Sequence, residues 1–132
     1  MGVRVLLAED EALVAMALAD CLQAEGHEVA AVARDGAEAL AASRRLGTLD
    51  LLVTDLRMPG LGGEDLIRAL WAERPGLPVL VVTGSAPPGG VEALRREVGE
   101  AGPLALLHKP LDYDALAGAL RGLAESAFAR AA

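Results

Sequence analysis

This chain is poor in several things, and each shortage closes off a class of protein. Its 132 residues include one cysteine, Cys21. That thiol has no partner for an internal disulfide, so a reducing compartment is expected. There are three aromatic residues, Trp71, Tyr113 and Phe128. The core must therefore be built from Leu, Val and Ala. Lys and Arg number 12 against 19 Asp and Glu, a net charge of −7. That balance argues against nucleic-acid binding, which needs clustered Lys and Arg on phosphates. No apolar run approaches the ~20 residues of a membrane helix. The first such run stops at Glu9-Asp10-Glu11, which the core of a signal peptide would not tolerate. The expected setting is the cytoplasm, away from membranes.

What remains is an apolar chain, 53% hydrophobic, long enough for one domain with one substantial core. It is organised around Leu51-Leu52-Val53-Thr54-Asp55-Leu56-Arg57-Met58-Pro59-Gly60. Four β-formers run into an aspartate, and Pro59-Gly60 then turns the chain. This reads as a buried strand. A carboxylate at the C-terminal end of such a strand sits where open α/β sheets bind ligands.

The other elements fall in order around it. Strands are expected at Val3–Ala8, Val29–Ala33, Val79–Thr83 and Leu104–Leu107. A helix over Ala12–Glu25 places Val14, Leu18, Cys21 and Leu22 on one face. Asp35 opens a second helix, with Glu38 completing a variant of the capping box; Gly47 closes it. Gly63–Arg74 forms a third, with Leu66, Ile67 and Leu70 inward. A short fourth helix spans Val91–Val98. Asp112 caps a fifth, with Leu116, Leu120 and Leu123 on one side, and the Ala-rich residues beyond Leu123 are expected to fray. Residues 1–123 are read as the domain and 124–132 as a helical extension or tail. Ala131-Ala132 reads as a natural terminus or a helix cut short.

Strand and helix alternate five times, and the strands are continuously apolar. That pattern means a parallel sheet with helices on both faces. All strand ends then share one edge. The first strand brings Glu9, Asp10 and Glu11 there, the third Asp55, the fourth Thr83 with Ser85 beyond, the fifth Lys109. Taken singly, each has a bland reading. Asp55 suits a turn, Glu9-Asp10 a helix N-terminus, Thr83 a strand end, Lys109 a solvated surface. Their joint placement favours a site. Cys21 reads as a core thiol, His27 as a strand-edge residue and Trp71 as packing on the third helix; Met16, Trp71 and Tyr113 are also candidates for exposure in a homodimer. Gly60-x-Gly62-Gly63 fails the dinucleotide fingerprint, because Asp65 stands where its third glycine would fall.

From Val3 to about Leu123 the chain resembles a response-regulator receiver domain, the phosphoacceptor module of two-component signalling. The resemblance rests on Glu9-Asp10, Asp55 before Met58-Pro59-Gly60, Thr83, and Lys109-Pro110. It implies a doubly wound α/β sheet in the order 2-1-3-4-5. It also implies phosphoryl transfer from a histidine kinase or phosphotransfer protein onto Asp55. Mg²⁺ would be held by Glu9, Asp10, Asp55 and the backbone carbonyl of Arg57, with Thr83 and Lys109 on the phosphoryl oxygens. Charge supports a metal: Glu9, Asp10 and Asp55 bring −3, which Mg²⁺ and Lys109 balance. Receivers often carry Tyr or Phe where this chain has Leu106, a switch position beside Thr83. The expected switching face joins the fourth helix, fifth strand and fifth helix, and a downstream effector protein reads it. Leu106 favours one alternative, a phosphorylation-independent interaction scaffold. The failed glycine motif disfavours another, a small nucleotide-binding enzyme.

Overall fold

The computed structural model describes residues 2–131; Ala132 lies outside them. The elements are β1 (Arg4–Ala8), α1 (Ala12–Ala24), β2 (Glu28–Ala33), α2 (Gly36–Arg45), β3 (Leu51–Thr54), α3 (Gly63–Glu73), β4 (Val79–Thr83), α4 (Gly90–Val98), β5 (Leu104–His108) and α5 (Tyr113–Ala131). The strands form one sheet in the order β2-β1-β3-β4-β5, and every pairing is parallel. This is the doubly wound, flavodoxin-like topology expected.

The sheet divides the core in two because successive side chains along a strand point to opposite faces. Leu6, Leu52, Val79 and Val81 meet Leu66, Ile67 and Leu70 of α3 and Leu94 of α4, with Ala39 and Ala42 of α2. Val5, Leu7, Val53, Leu80 and Val82 face the other way, onto Leu18 and Leu22 of α1 and Leu116 and Leu120 of α5. β3 and β4 are buried along their whole length, whereas β2 and β5, at the sheet edges, are partly exposed. Burial on both faces is why the central strands read as unbroken apolar runs. Each fully buried leucine contributes roughly 1.5–3 kcal/mol.

Local chemistry sets the helix ends. Asp35 caps α2 by accepting the Glu38 N–H at 2.8 Å. Asp112 accepts the N–H groups of Asp114 and Ala115 at 3.0 and 3.2 Å at the start of α5. α4 begins at Gly90 with Gly89 as its N-cap, both left-handed with φ of +64° and +94°. Its other end is held by Arg95, which donates to Gly102 O at 2.8 Å and Gly99 O at 3.2 Å. The Arg95 guanidinium also lies 5.8 Å from the centroid of the Trp71 ring.

Three local expectations need correction: the end of α5, the candidacy of Trp71 for exposure, and the core placement of Cys21. α5 does not fray after Leu123: it continues to Ala131, with Ala124 and Ala127 buried against the sheet. Trp71 is buried, and its Nε1–H donates to Leu77 O at 2.7 Å. Cys21 is half-buried, packed beside the core rather than in it. His27 is buried, and its Nδ1 accepts the Val3 N–H at 3.2 Å. Met16 and Tyr113 are exposed. No helix among the described residues is long and apolar enough to cross a membrane.

Candidate functional site

The sheet's own hydrogen bonding positions the site. The parallel ladder runs one residue beyond three strand ends. Glu9 N–H donates to Ala33 O at 2.9 Å, Asp55 N–H to Ala8 O at 3.0 Å, and Lys109 N–H to Thr83 O at 2.9 Å. The backbones beneath three of the expected site residues are thereby fixed relative to one another.

Two glycines set the loop that follows Asp55. Gly63 N–H donates to Leu56 O at 3.0 Å, and Gly36 N–H to Leu61 O at 3.1 Å. A Cβ on Gly63 would overlap Asp55 O and lie 2.8 Å from Leu56 Cα. A Cβ on Gly36 would overlap Leu61 O. Only glycine lets the starts of α2 and α3 close on this loop. Gly60, at φ +69°, makes the turn within it.

The side chains converge on Lys109. Its Nζ lies 2.7 Å from Asp55 Oδ2, 2.8 Å from Glu9 Oε1 and 3.4 Å from Glu11 Oε1. Asp55 Oδ1 accepts the Leu56 N–H at 2.6 Å. Glu9 Oε2 accepts the Glu11 N–H at 3.1 Å. Glu9 Oε1 is fully buried and makes no aligned hydrogen bond, although the ammonium is close. Thr83 is also fully buried, and its hydroxyl accepts the Ser85 N–H at 3.1 Å. Asp10 and Arg57 are exposed. Leu106 pairs with Val81 across the sheet and packs half-buried against the α3–α4 layer. Strand alternation points Thr83 to that same face. His108 is exposed on the sheet edge.

Titration behaviour follows from this geometry. Burial alone would raise the Asp55 pKa, but hydrogen bonds from Lys109, Thr83 and the Leu56 N–H outweigh it and hold the carboxyl below its usual range. For Glu9 burial prevails over Lys109, and its pKa is raised. Lys109 is pushed up: burial opposes its charge, but Asp55 and Glu9 more than compensate. The geometry thus favours the ionised form of Asp55 and the charged form of Lys109.

Oxygens of Glu9, Asp10, Glu11 and Asp55 lie within 4.8 Å of one another. Four carboxylates against one nearby ammonium leave an excess of negative charge. Hard oxygen donors, with a buried Glu9 Oε1 that has no aligned hydrogen bond and only the Lys109 ammonium beside it, suit a divalent cation such as Mg²⁺, which takes carboxylates together with waters and substrate phosphate. Glu11 carried no expected role. A third acid after a strand is explained equally well as a helix N-cap, and Glu11 is the N-cap residue of α1.

A parallel, doubly wound domain with acids, a hydroxyl and a lysine at the C-terminal sheet edge belongs to the class of open α/β modules that bind ligands at that edge. The family model for the response regulator receiver domain matches residues 5–121, and the chain belongs to that family. It is 41% identical over 108 residues to a response regulator receiver protein of Anaeromyxobacter sp. (strain Fw109-5), covering 82% of this chain and 43% of that protein. It is 38% identical over 125 residues to the transcriptional regulatory protein PdtaR of Mycobacterium tuberculosis, covering 95% of this chain and 58% of that one. The chain therefore spans about half the length of these curated relatives. The receiver domain of the hybrid histidine kinase CckA matches with a TM-score of 0.72 at 33% identity, covering 92% of this chain and 98% of that one.

Proposed function

We propose that this domain accepts a phosphoryl group on Asp55 from a phosphohistidine of a histidine kinase or phosphotransfer protein, and that the change alters binding to an effector protein. The observation that carries the reading is the Asp55–Lys109 pair at 2.7 Å, with Glu9 buried beside it. An Asp55 oxygen attacks phosphorus, the P–N bond of the donor breaks, and the imidazole leaves with its electron pair and takes up a proton. The product is an acyl phosphate. Phosphoryl transfer of this kind needs charge neutralisation and in-line positioning more than covalent machinery.

Each residue then has a task. Asp55 stays ionised and nucleophilic because Lys109, Thr83 and the Leu56 N–H favour its charged form. Lys109 supplies a cation that passes from the carboxylate to the phosphoryl oxygens. Thr83 offers its hydroxyl to the same oxygens. Glu9, Asp10, Asp55 and the Arg57 carbonyl would hold Mg²⁺, which when bound neutralises charge on the transferring group. The domain assists its own phosphorylation and dephosphorylation and has no separate enzymatic activity. It works in the cytoplasm, without membrane or direct nucleic-acid contact in this chain. Output passes through the face formed by α4, β5 and α5. Exposed Met16 and Tyr113 are available for a homodimer.

Leu106 favours a second reading, a scaffold that binds partners regardless of phosphorylation, since leucine cannot reproduce an aromatic switch. Intact mass after incubation with Mg²⁺ and a small phosphodonor separates the two. One phosphoryl increment, absent from Asp55→Asn and from a metal-free control, is expected. No increment on folded protein, with a known receiver labelled in parallel, would favour the scaffold.

A further inference from the structure

Lys109 occupies the oxygens that a cation would need. Its ammonium sits 2.7 Å from Asp55 and 2.8 Å from Glu9, and its side chain is 16% exposed. A divalent ion drawn to the same carboxylates meets a like charge already seated there. For the ion to bind, Lys109 must draw back, and a buried ammonium left without a partner is costly.

Glu11 offers it a place to go. Among the described residues, it is the one carboxylate besides Glu9 and Asp55 within ion-pair reach of Lys109. Its Oε1 is 3.4 Å from Nζ, and its side chain is 64% exposed and free to swing. Its backbone is fixed, because its N–H donates to Glu9 Oε2 at 3.1 Å. That bond also holds the Glu9 carboxylate so that Oε1 lies toward the cluster. We propose that Glu11 is a positioning residue: it receives the Lys109 ammonium when a divalent cation takes Glu9 and Asp55, and so sets cation affinity. This rests on reading the acidic cluster as a cation site.

The role differs from that of a fourth ligand. A ligand acts on the ion whether or not Lys109 is present. A landing site acts only through Lys109. It also accounts for an exposed acid at a site whose other carboxylates are expected to carry the ion.

A double-mutant cycle read by calorimetric titration with Mg²⁺ distinguishes the two. The proteins are the wild type, Glu11→Gln, Lys109→Met and the double variant, each checked for folding by thermal melting. Glu11→Gln is expected to weaken Mg²⁺ binding roughly two- to fivefold, the scale of an exposed charge pair, and to have no effect in the Lys109→Met background. Equal weakening in both backgrounds would make Glu11 act on the ion directly and overturn the proposal. So would unchanged affinity in the single variant. A wild type that binds no Mg²⁺ would overturn the cation-site reading itself, a failure distinct from the other two.

Discussion

Replacing Gly63 by alanine tests whether backbone contact at the start of α3 sets the site. The added methyl would overlap Asp55 O and come 2.8 Å from Leu56 Cα. Both obstacles are backbone, so neither can rotate aside. Either α3 moves out or the chain at Asp55 moves, and both disturb a core in which Leu66, Ile67 and Leu70 are fully buried. Overpacking of this kind costs about 1–3 kcal/mol, against a helix-propensity gain of at most ~0.5–1 kcal/mol. A fall in Tm of roughly 3–10 °C follows for a domain of this size. Labelling of Asp55 by a small phosphodonor should slow by about tenfold or more, since misplacement of about 1 Å at a reacting centre has effects of that order. Gly118→Ala is the matched control. It lies within α5 with nothing within 4 Å of the added atom, so it should stabilise by ~0.5–1 kcal/mol. Thermal melts and a labelling time course measure both. A Gly63→Ala protein as stable as the wild type and labelled at the same rate would refute the reasoning.

Two further outcomes follow from buried polar groups. His27 accepts the Val3 N–H through Nδ1 and so must be neutral there. Burial lowers its pKa below 6.5, with Glu25 opposing and the N-terminus reinforcing the shift. The unfolded chain therefore binds the proton more readily. The contribution is full above the unfolded pKa and is lost as pH falls below about 6.5 toward the folded value. Denaturant unfolding of the wild type and His27→Asn at pH 7.5 and pH 5 should show the wild type losing more stability; parallel losses would contradict this. Trp71→Phe removes the Nε1–H bond to Leu77 O and part of the α3–α4 contact. A destabilisation of roughly 1–3 kcal/mol is expected, and an unchanged denaturation midpoint would count against the burial of that ring.

The central strands were legible because burial on both faces leaves an apolar run with sharp ends. Leu51–Thr54 and Val79–Thr83 end at an acid and a glycine, and the structure bounds β3 and β4 at those residues. The strand order came with the family resemblance, and the run of hydrophobic residues alone does not dictate it. That Glu9, Asp55, Thr83 and Lys109 share one edge followed from parallel strands. Their distances did not, because side-chain reach across 98 residues of sequence, as between Glu11 and Lys109, has no local signature. The end of α5 was misread for a related reason. Ala124 and Ala127 carry little hydrophobic contrast of their own, and only the layer against them makes them core. Trp71 packing on the third helix was legible, and the structure buries it after Leu70 on the inner face of α3; only its candidacy for exposure fails.

The restraint on α4 is unequal along its length. At its C-terminal end, Arg95 ties two loop carbonyls and covers Trp71. At its N-terminal end stand two left-handed glycines. A helix of nine residues is about 13 Å long. Fixed near its C-terminal end, it is a lever with its fulcrum at Arg95, five residues or about 7.5 Å from Gly90, and a tilt of about ten degrees would carry the Gly90 end by roughly 1.3 Å. That free end lies on the side of Thr83 and the loop after β4, so a displacement there is magnified along the helix while the Trp71 end stays still. A spectroscopic probe on Trp71 would sit at the fulcrum and see little of the stroke. The same probe at Val91 would see nearly all of it.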